Sequence, residues 1–451
     1  MPICGITERS GNVKEGFIFV ARKGACDDGI LHVREAIERG AVAIVIDRNG
    51  NVNLDGLREV TLIIVPDGRT FISHASAKLA GNPSESMTII AVTGTNGKTT
   101  VTHFIGQLLL MLGEQAAVIG TTGLFMNGRK VHLDIPDMTT LPAEFLHPLL
   151  KECLEAGMKY IVMEASSLGL STSRLDHCKI DVGVFLNIGV DHYEEHGSKE
   201  AYIAAKKRLT KMARSLVVNV DDWQCVKLVG NADRQVHFFG ELTVAGNLIP
   251  DDLYPTFLPG KHNRLNALAA VTVMHVLNWD TFDTLPLCNK LVLPEGRLQC
   301  LREGGVVVFI DYAHTPDALQ TVLASLTEES TGDLITVFGC GGNRDRGKRP
   351  QMGKVATTYS SKIFITSDNP RNEEPFAIIE EILAGISCER EKVVVEMDRR
   401  RAIEKAVRYA KAGDTVLIAG KGHEKTQQIG QELFAFSDYE VAQTALRNKN
   451  L

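Results

Sequence analysis

Met87-Thr88-Ile89-Ile90-Ala91-Val92-Thr93-Gly94-Thr95-Asn96-Gly97-Lys98-Thr99-Thr100 is the stretch whose reading decides the fold. Its first half is a short β-branched and apolar run, which reads as a buried strand. Gly94 and Gly97 break that run, and Lys98, Thr99 and Thr100 follow. Beyond them Phe104, Ile105, Leu108, Leu109 and Leu112 recur at helical spacing. Strand, glycine loop and helix in that order form the context a phosphate-binding loop needs. The glycines let backbone N–H groups turn toward phosphate oxygens, and the helix N-terminus adds a partial positive charge. Lys98 supplies a full charge, while Thr99 or Thr100 offers a hydroxyl to Mg²⁺.

Outward from this stretch, the 451 residues are long for one core, and two to four domains are expected. A hydrophobic content of 44% and a charged content of 23% are those of a globular chain. The formal charge of -6 argues against general nucleic-acid binding. No apolar run approaches the length of a membrane span, so no membrane partner is expected. The opening MPICGITERSG lacks a secretory apolar region. The nine cysteines are scattered without a C-x-x-C pair, which fits reduced thiols in a cytoplasm and offers no zinc site.

The pattern divides the chain into a small α/β unit at 1–86, a central phosphate-loop unit at 87–291 and a second α/β set at 292–451. In the first, 16–21, 41–46 and 62–65 read as strands, and 32–40 and 71–79 as helices. In the second, strands at 88–92, 117–120, 160–164, 182–186 and 216–219 alternate with helices such as 142–157. That is the signature of a mainly parallel sheet covered on both faces. In the third, strands at 306–310, 334–338, 362–366 and 415–419 each end in polar or glycine-rich residues. Ligands bind at such carboxyl ends.

Several strand ends carry chemistry. Glu164 closes a buried strand and could hold Mg²⁺ bridging nucleotide phosphates, or could simply cap a helix. His192 follows the neighbouring strand end Asn187-Ile188-Gly189-Val190-Asp191 and could ligate a second divalent ion. Ala204-Ala205-Lys206-Lys207-Arg208 reads, by spacing alone, as a solvated basic face. Arg344 to Arg349 and Lys421-Gly422-His423-Glu424 are charged loops, the former preceded by a glycine run that suggests close approach to an anion. Asp311-Tyr312-Ala313-His314 could orient a ribose, a phosphate or water. Asp368-Asn369-Pro370-Arg371 suits a zwitterion, since Asp368 can take an ammonium and Arg371 can fork a carboxylate.

Together T-G-T-N-G-K-T-T, M-E-A-S-S, N-I-G-V-D-H, L-P-G-K-H-N-R-L-N-A-L-A-A, D-Y-A-H-T-P-D-A-L, G-C-G-G-N-R-D-R-G-K-R-P, S-D-N-P-R and A-G-K-G-H-E occur in this order. The chain resembles the Mur ligase family over nearly its whole length, and within it the members that add the third residue of the peptidoglycan stem. D-N-P-R is similar to the form found in members that add meso-diaminopimelate rather than lysine. The resemblance implies a three-domain α/β architecture, with a central phosphate-loop sheet that is mainly parallel and a Rossmann-like C-terminal domain. It implies a cytoplasmic, monomeric ATP-dependent ligase acting on small molecules, with UDP-N-acetylmuramoyl-L-Ala-D-Glu as acceptor and an acyl-phosphate intermediate.

Residue by residue, the resemblance implies that Gly94, Thr95, Asn96, Gly97, Lys98, Thr99 and Thr100 hold the ATP phosphates. Asn263, Asn266, Arg297, Asp311 and His314 would lie around the nucleotide. Thr99 and Glu164 would bind one Mg²⁺ and His192 a second. Lys206 would carry a carbamate, which turns a cation into a carboxylate-like metal ligand and reverses the spacing-only reading. Lys98, Lys206 and His192 would form the catalytic set. Thr139, Thr140, Ser166 and Arg174 would contact the acceptor. Arg344, Asp368, Asn369, Arg371, Gly420 and Glu424 would contact the amino acid. Three departures fall on the acceptor side: a shortened stretch before Ile6, Leu168 after Ser166-Ser167, and Leu141 between Thr140 and Pro142. They raise two alternatives, a related ligase with a non-UDP carboxylate acceptor and a non-catalytic nucleotide-binding regulator.

Overall fold

The structure is a computed structural model, which describes residues 2–24, 27–48, 50, 60–189, 196–230, 233–249, 255, 258–387 and 389–449. Three sheets follow one another along the chain. The first has four parallel strands in sequence order, Gly5–Thr7, Phe17–Ala21, Ala43–Asp47 and Thr61–Val65. Small apolar clusters cover both of its faces, around Phe19 and Ile44 on one and Val20 and Val45 on the other. The helix Gly68–Ala80 packs across to the helix Ala143–Glu155 of the next unit.

The second sheet has eight strands. Its order is Gln235–Phe239, Ala213–Asn219, Ile180–Phe185, Thr88–Thr93, Tyr160–Glu164, Ala116–Gly120, Gly123–Met126 and Arg129–Val131. The first six are parallel, and the last two return antiparallel as a hairpin edge. Thr88–Thr93 lies at the centre because its side chains are almost all apolar or β-branched and nearly wholly buried, as a strand covered on both faces requires. From it the chain winds to Ala116–Gly120 on one side and later to Ile180–Phe185 on the other. The strand order therefore reverses beside Thr88–Thr93, which opens a crevice at the strands' carboxyl ends. The helices Lys98–Met111 and Lys261–Val276 pack against each other over one face.

The third sheet runs Gln299–Glu303, Val306–Asp311, Thr415–Ala419, Leu334–Phe338, Lys362–Ile365 and Val393–Val395. Only Gln299–Glu303 is antiparallel, so the last five strands deliver their carboxyl ends to one edge. Apolar clusters cover both faces here too. Among the described residues no helix is long and apolar enough to cross a membrane.

Candidate active site

The phosphate loop is fixed from below. Gly97 has φ +88, and an added Cβ would lie 2.7 Å from Asn266 Oδ1, so glycine is required twice over. Asn187 clamps the loop: its Oδ1 accepts from Asn96 N at 2.8 Å, its Nδ2 donates to Asn96 O, and its carbonyl accepts from Thr95 N. Thr95 Oγ1 lies 2.7 Å from the Tyr202 hydroxyl and accepts from Gly189 N at 2.8 Å. Lys98 Nζ donates to the carbonyls of Gly94 and Thr95 at 2.9 Å, holding the loop against itself. Thr99 and Thr100 open the helix in buried positions.

Glu164 is the hub of the second layer. It is 2% exposed, and its carboxylate accepts from Thr99 Oγ1 at 3.0 Å, Thr121 N at 2.8 Å and Thr121 Oγ1 at 3.1 Å. A buried carboxylate beside a threonine hydroxyl at the end of a phosphate loop is a hard oxygen donor set, which fits Mg²⁺. Among the described residues no group of three or more His, Cys, Asp or Glu could hold a metal. His192 lies outside the described residues. Lys206 is only 2% exposed, with Nζ 3.5 Å from Thr93 Oγ1 and 4.7 Å from the Tyr202 ring. The basic face expected from spacing is therefore interrupted: the helix Lys199–Met212 turns Lys206 inward with Tyr202 and Leu209.

The four acceptor-side residues share one network with Glu164. Thr140 Oγ1 donates to Glu164 O at 2.8 Å and accepts from Ser166 N at 2.9 Å. Ser166 Oγ caps the next helix through Gly169 N. Thr139 Oγ1 lies 3.1 Å from Thr121 Oγ1, to which it can donate, and Arg174 donates to Thr140 O at 2.7 Å.

On the third sheet, Asp368, Asn369, Arg371, Gly420 and Glu424 converge. Asn369 Nδ2 donates to Glu424 Oε2 at 2.9 Å, and Lys421 Nζ donates to the same oxygen at 2.7 Å and to Asn369 Oδ1 at 3.0 Å. Lys421 is wholly buried. Gly420 has φ +114, and a Cβ there would stand 2.7 Å from Asp368 Oδ2. Arg371, itself at φ +52, donates to Gly342 O at 2.8 Å. Burial and then the positive charge of Arg344 lower the Arg371 pKa, so two guanidiniums crowd where a carboxylate would relieve them.

The two constellations meet at Arg297. Its Nη2 donates to Thr99 Oγ1 at 3.2 Å, and its guanidinium stacks 4.6 Å over the Tyr312 ring. His314 and His423 flank the same ring at 4.7 Å and 5.2 Å. Burial first, then Arg297 and Lys130, push His103 and His423 down to about 4. Neutral histidines among fixed cations mark a positive field suited to phosphate. Asn263 and Asn266 lie on the adjacent helix, Asn263 bonded to Pro259 O. Asp311, expected near a ribose, a phosphate or water, is tied to the backbone in this structure. Its Oδ1 accepts from Ala313 N and its Oδ2 from Leu298 N, so both oxygens hold backbone.

This arrangement is matched by two family models, the Mur ligase middle domain over residues 92–274 and the Mur ligase glutamate ligase domain over residues 296–422. A UDP-N-acetylmuramoyl-L-alanyl-D-glutamate–2,6-diaminopimelate ligase of Aquifex aeolicus is 39% identical over 98% of this chain and 93% of its own length. The chain belongs to the Mur ligase family. A like-named Geobacter sulfurreducens ligase is 37% identical over 99% of this chain and 95% of its own. A solved structure of such a ligase has 30% identity and a TM-score of 0.66, covering 100% of this chain and 96% of that one. A Thermotoga maritima MurF ligase in complex with ADP shares the fold, with a TM-score of 0.60, 20% identity and coverage of 99% and 98%.

Within this Mur ligase framework the structure adds residues that motif reading passed over. Asn187, Tyr202 and Thr121 position the phosphate loop and Glu164, and Lys421 orients Glu424. Glu144, buried on the helix Ala143–Glu155, accepts from Glu8 N at 2.8 Å and ties the first sheet to the second. Asn187 had a signal, its place at a strand end beside the loop. The others are visible only through contacts distant in sequence.

Proposed function

We propose that this chain joins meso-diaminopimelate to the free carboxylate of UDP-N-acetylmuramoyl-L-Ala-D-Glu, cleaving ATP to ADP and phosphate. The observation that carries the reading is a link from phosphate loop to zwitterion pocket: Arg297 bonded to Thr99 and stacked on Tyr312. The names of the relatives support the acceptor and the amino acid. In this reading residues 1–86 bind the acceptor, 87–291 bind ATP and 292–451 bind the amino acid. In the same reading the substrates are cytoplasmic, and the protein works on them there as a monomer.

The acceptor carboxylate, held by Thr139, Thr140, Ser166 and Arg174, attacks the γ-phosphorus of ATP. An acyl phosphate forms and ADP leaves. Lys98 and the N-terminus of the helix Lys98–Met111 offset charge on the transferring group. Thr99 and Glu164 would hold Mg²⁺, with His192 and a carbamate on Lys206 serving a second ion; the metal supplies further positive charge to the phosphates. Asp368 and Glu424 receive an ammonium of the amino acid, while Arg344 and Arg371 receive a carboxylate. The amine nitrogen then attacks the acyl carbon, and phosphate leaves with the C–O bonding electrons.

The test is phosphate release from ATP with the muramoyl dipeptide and a panel of amino acids. Turnover confined to the dipeptide and diaminopimelate supports the reading. Turnover with another carboxylate and not with the dipeptide overturns the acceptor assignment.

A further inference from the structure

The second half-reaction needs a neutral amine, yet an amine held by Asp368 and Glu424 arrives as an ammonium without a lone pair. Few groups in the cleft can take its proton. Glu164 already accepts three hydrogen bonds. Glu424 Oε2 accepts from Lys421 and Asn369, and Asp368 Oδ1 from Asn369 N. Burial pushes the Tyr312 hydroxyl up to about 12, so it stays protonated. His314 Nδ1 must donate to the Tyr312 carbonyl at 2.8 Å, so that nitrogen cannot take a proton.

His423 differs from all of these. It follows Lys421-Gly422 and precedes Glu424 on the loop after Thr415–Ala419, and its ring lies against Tyr312, which Arg297 stacks. The backbone of Thr121, whose N–H also holds Glu164, lies near enough to the ring to raise its pKa against the burial and the cations that lower it. The imidazole thus stands between the phosphate side and the amino-acid side. Its Nδ1 is buried and has no hydrogen-bond partner among the described residues. A buried nitrogen left unpaired is costly unless a ligand completes it.

We propose that His423 accepts the proton that the incoming amine loses before it attacks the acyl carbon. This rests on the ligase reading above. The N–H bond of the ammonium breaks and its proton passes to Nδ1, giving an imidazolium. The freed pair forms the N–C bond. The C–O bond to phosphate breaks, and the second amine proton leaves with the phosphate. The charged groups facing the ring are Arg297 and Lys130, with Glu295 opposing them. Burial first, and then both cations, keep the ring unprotonated at neutral pH, so its lone pair is present before the amine arrives. The acyl phosphate brings negative charge to the same cations and so raises the basicity of the ring when the proton must move.

The test compares two nucleophiles on the full-length enzyme and on His423→Gln and His423→Asn, with ATP, Mg²⁺ and the muramoyl dipeptide. Hydroxylamine is largely unprotonated at neutral pH and needs no base; diaminopimelate does. Each variant is expected to lose about 10²–10⁴-fold in amide formation while hydroxamate formation is unchanged. Its amide rate should also rise with pH as the free amine accumulates. Equal loss with both nucleophiles, or amide formation at the wild-type rate, overturns the proposal. The hydroxamate yield of the wild-type enzyme tests the acceptor separately, and the ratio between nucleophiles tests His423.

Discussion

Lys98 and Arg371 are both cations beside ligand sites, yet they act at different steps. In the proposed reading Lys98 sits where charge develops on the transferring phosphoryl group, so Lys98→Ala should abolish ATP-dependent turnover at any amino-acid concentration. In the same proposed reading Arg371 meets the amino acid in its ground state. Arg371→Ala should raise the KM for the amino acid by about 10- to 100-fold, the value of one charge-assisted hydrogen-bonded pair, with kcat largely kept. Steady-state phosphate release separates the two, and normal turnover by the Lys98 variant would remove the phosphate-loop assignment. Motif spacing makes both residues readable. It fails at Lys206, because nothing local distinguishes it from Lys207; burial beside Tyr202 and Thr93 is decided by the sheet under the helix. It marks Lys421 only as part of a charged loop for the same reason, since the partner Asn369 arrives from another strand end.

Glu144 gives a second prediction at this scale. Burial raises its pKa to about 7, against hydrogen bonds from Thr7 and Glu8 that lower it. A carboxyl raised in the folded state stabilises fully below its unfolded value of 4.5, and that stability is lost as pH rises through about 7. The loss is on the order of 3 kcal/mol. Glu144→Gln cannot ionise, so its denaturant midpoint should stay flat between pH 4.5 and 7 where that of the wild type falls. Parallel curves would show that Glu144 is not the titrating group.

At the scale of elements, the loops after Leu334–Phe338 and Lys362–Ile365 must stay in register for Arg371 and Arg344 to meet one carboxylate. Arg349, wholly buried at the start of the helix Lys348–Tyr359, does this. It donates to Glu373 and Glu381 at 2.8 Å and to Gly341 O at 3.2 Å. Its bond holds the Glu373 carboxyl down at about 2, so this tie is present above pH 4.5 and lost as pH falls toward 2. Arg349→Met removes the buried cation from between two carboxylates, leaving Glu381 with Arg346 alone and Glu373 with Asn343 N alone. We expect roughly 2–4 kcal/mol lost from the third sheet, less than for a fully buried pair because both carboxylates reach water. The KM for the amino acid should rise with it, measured in the same assay as Arg371→Ala. The alternation of strand and helix that builds this sheet is plain in the sequence, because β-branched runs and glycine stops recur at regular intervals. The hairpin Gly123–Met126 and Arg129–Val131 is not, since its strands are too short to show a period.

At the scale of the whole molecule, three sheets bring ligands to one cleft, and the link between the second and third sheets must bend without wandering. One side chain fixes its pivot. Gln107, on the outer face of the phosphate-loop helix, donates from Nε2 to Val292 O and accepts at Oε1 from Val292 N, both at 2.8 Å. A single amide thus clamps both backbone groups of the linker residue that enters the third sheet. Each bond contributes about 0.5–1.5 kcal/mol, too little to unfold anything when lost but enough to free a pivot. Gln107→Ala should therefore leave the thermal midpoint and nucleotide affinity nearly unchanged. Small-angle scattering of the ligand-free protein should broaden toward larger dimensions, and kcat should fall, because alignment of the acyl phosphate with the amine depends on closure from a fixed pivot. Unchanged scattering and unchanged kcat would mean that the Arg297 contact with Thr99 alone sets the domain approach. The complementary variant, Arg297→Ala, would then produce both effects in place of Gln107→Ala.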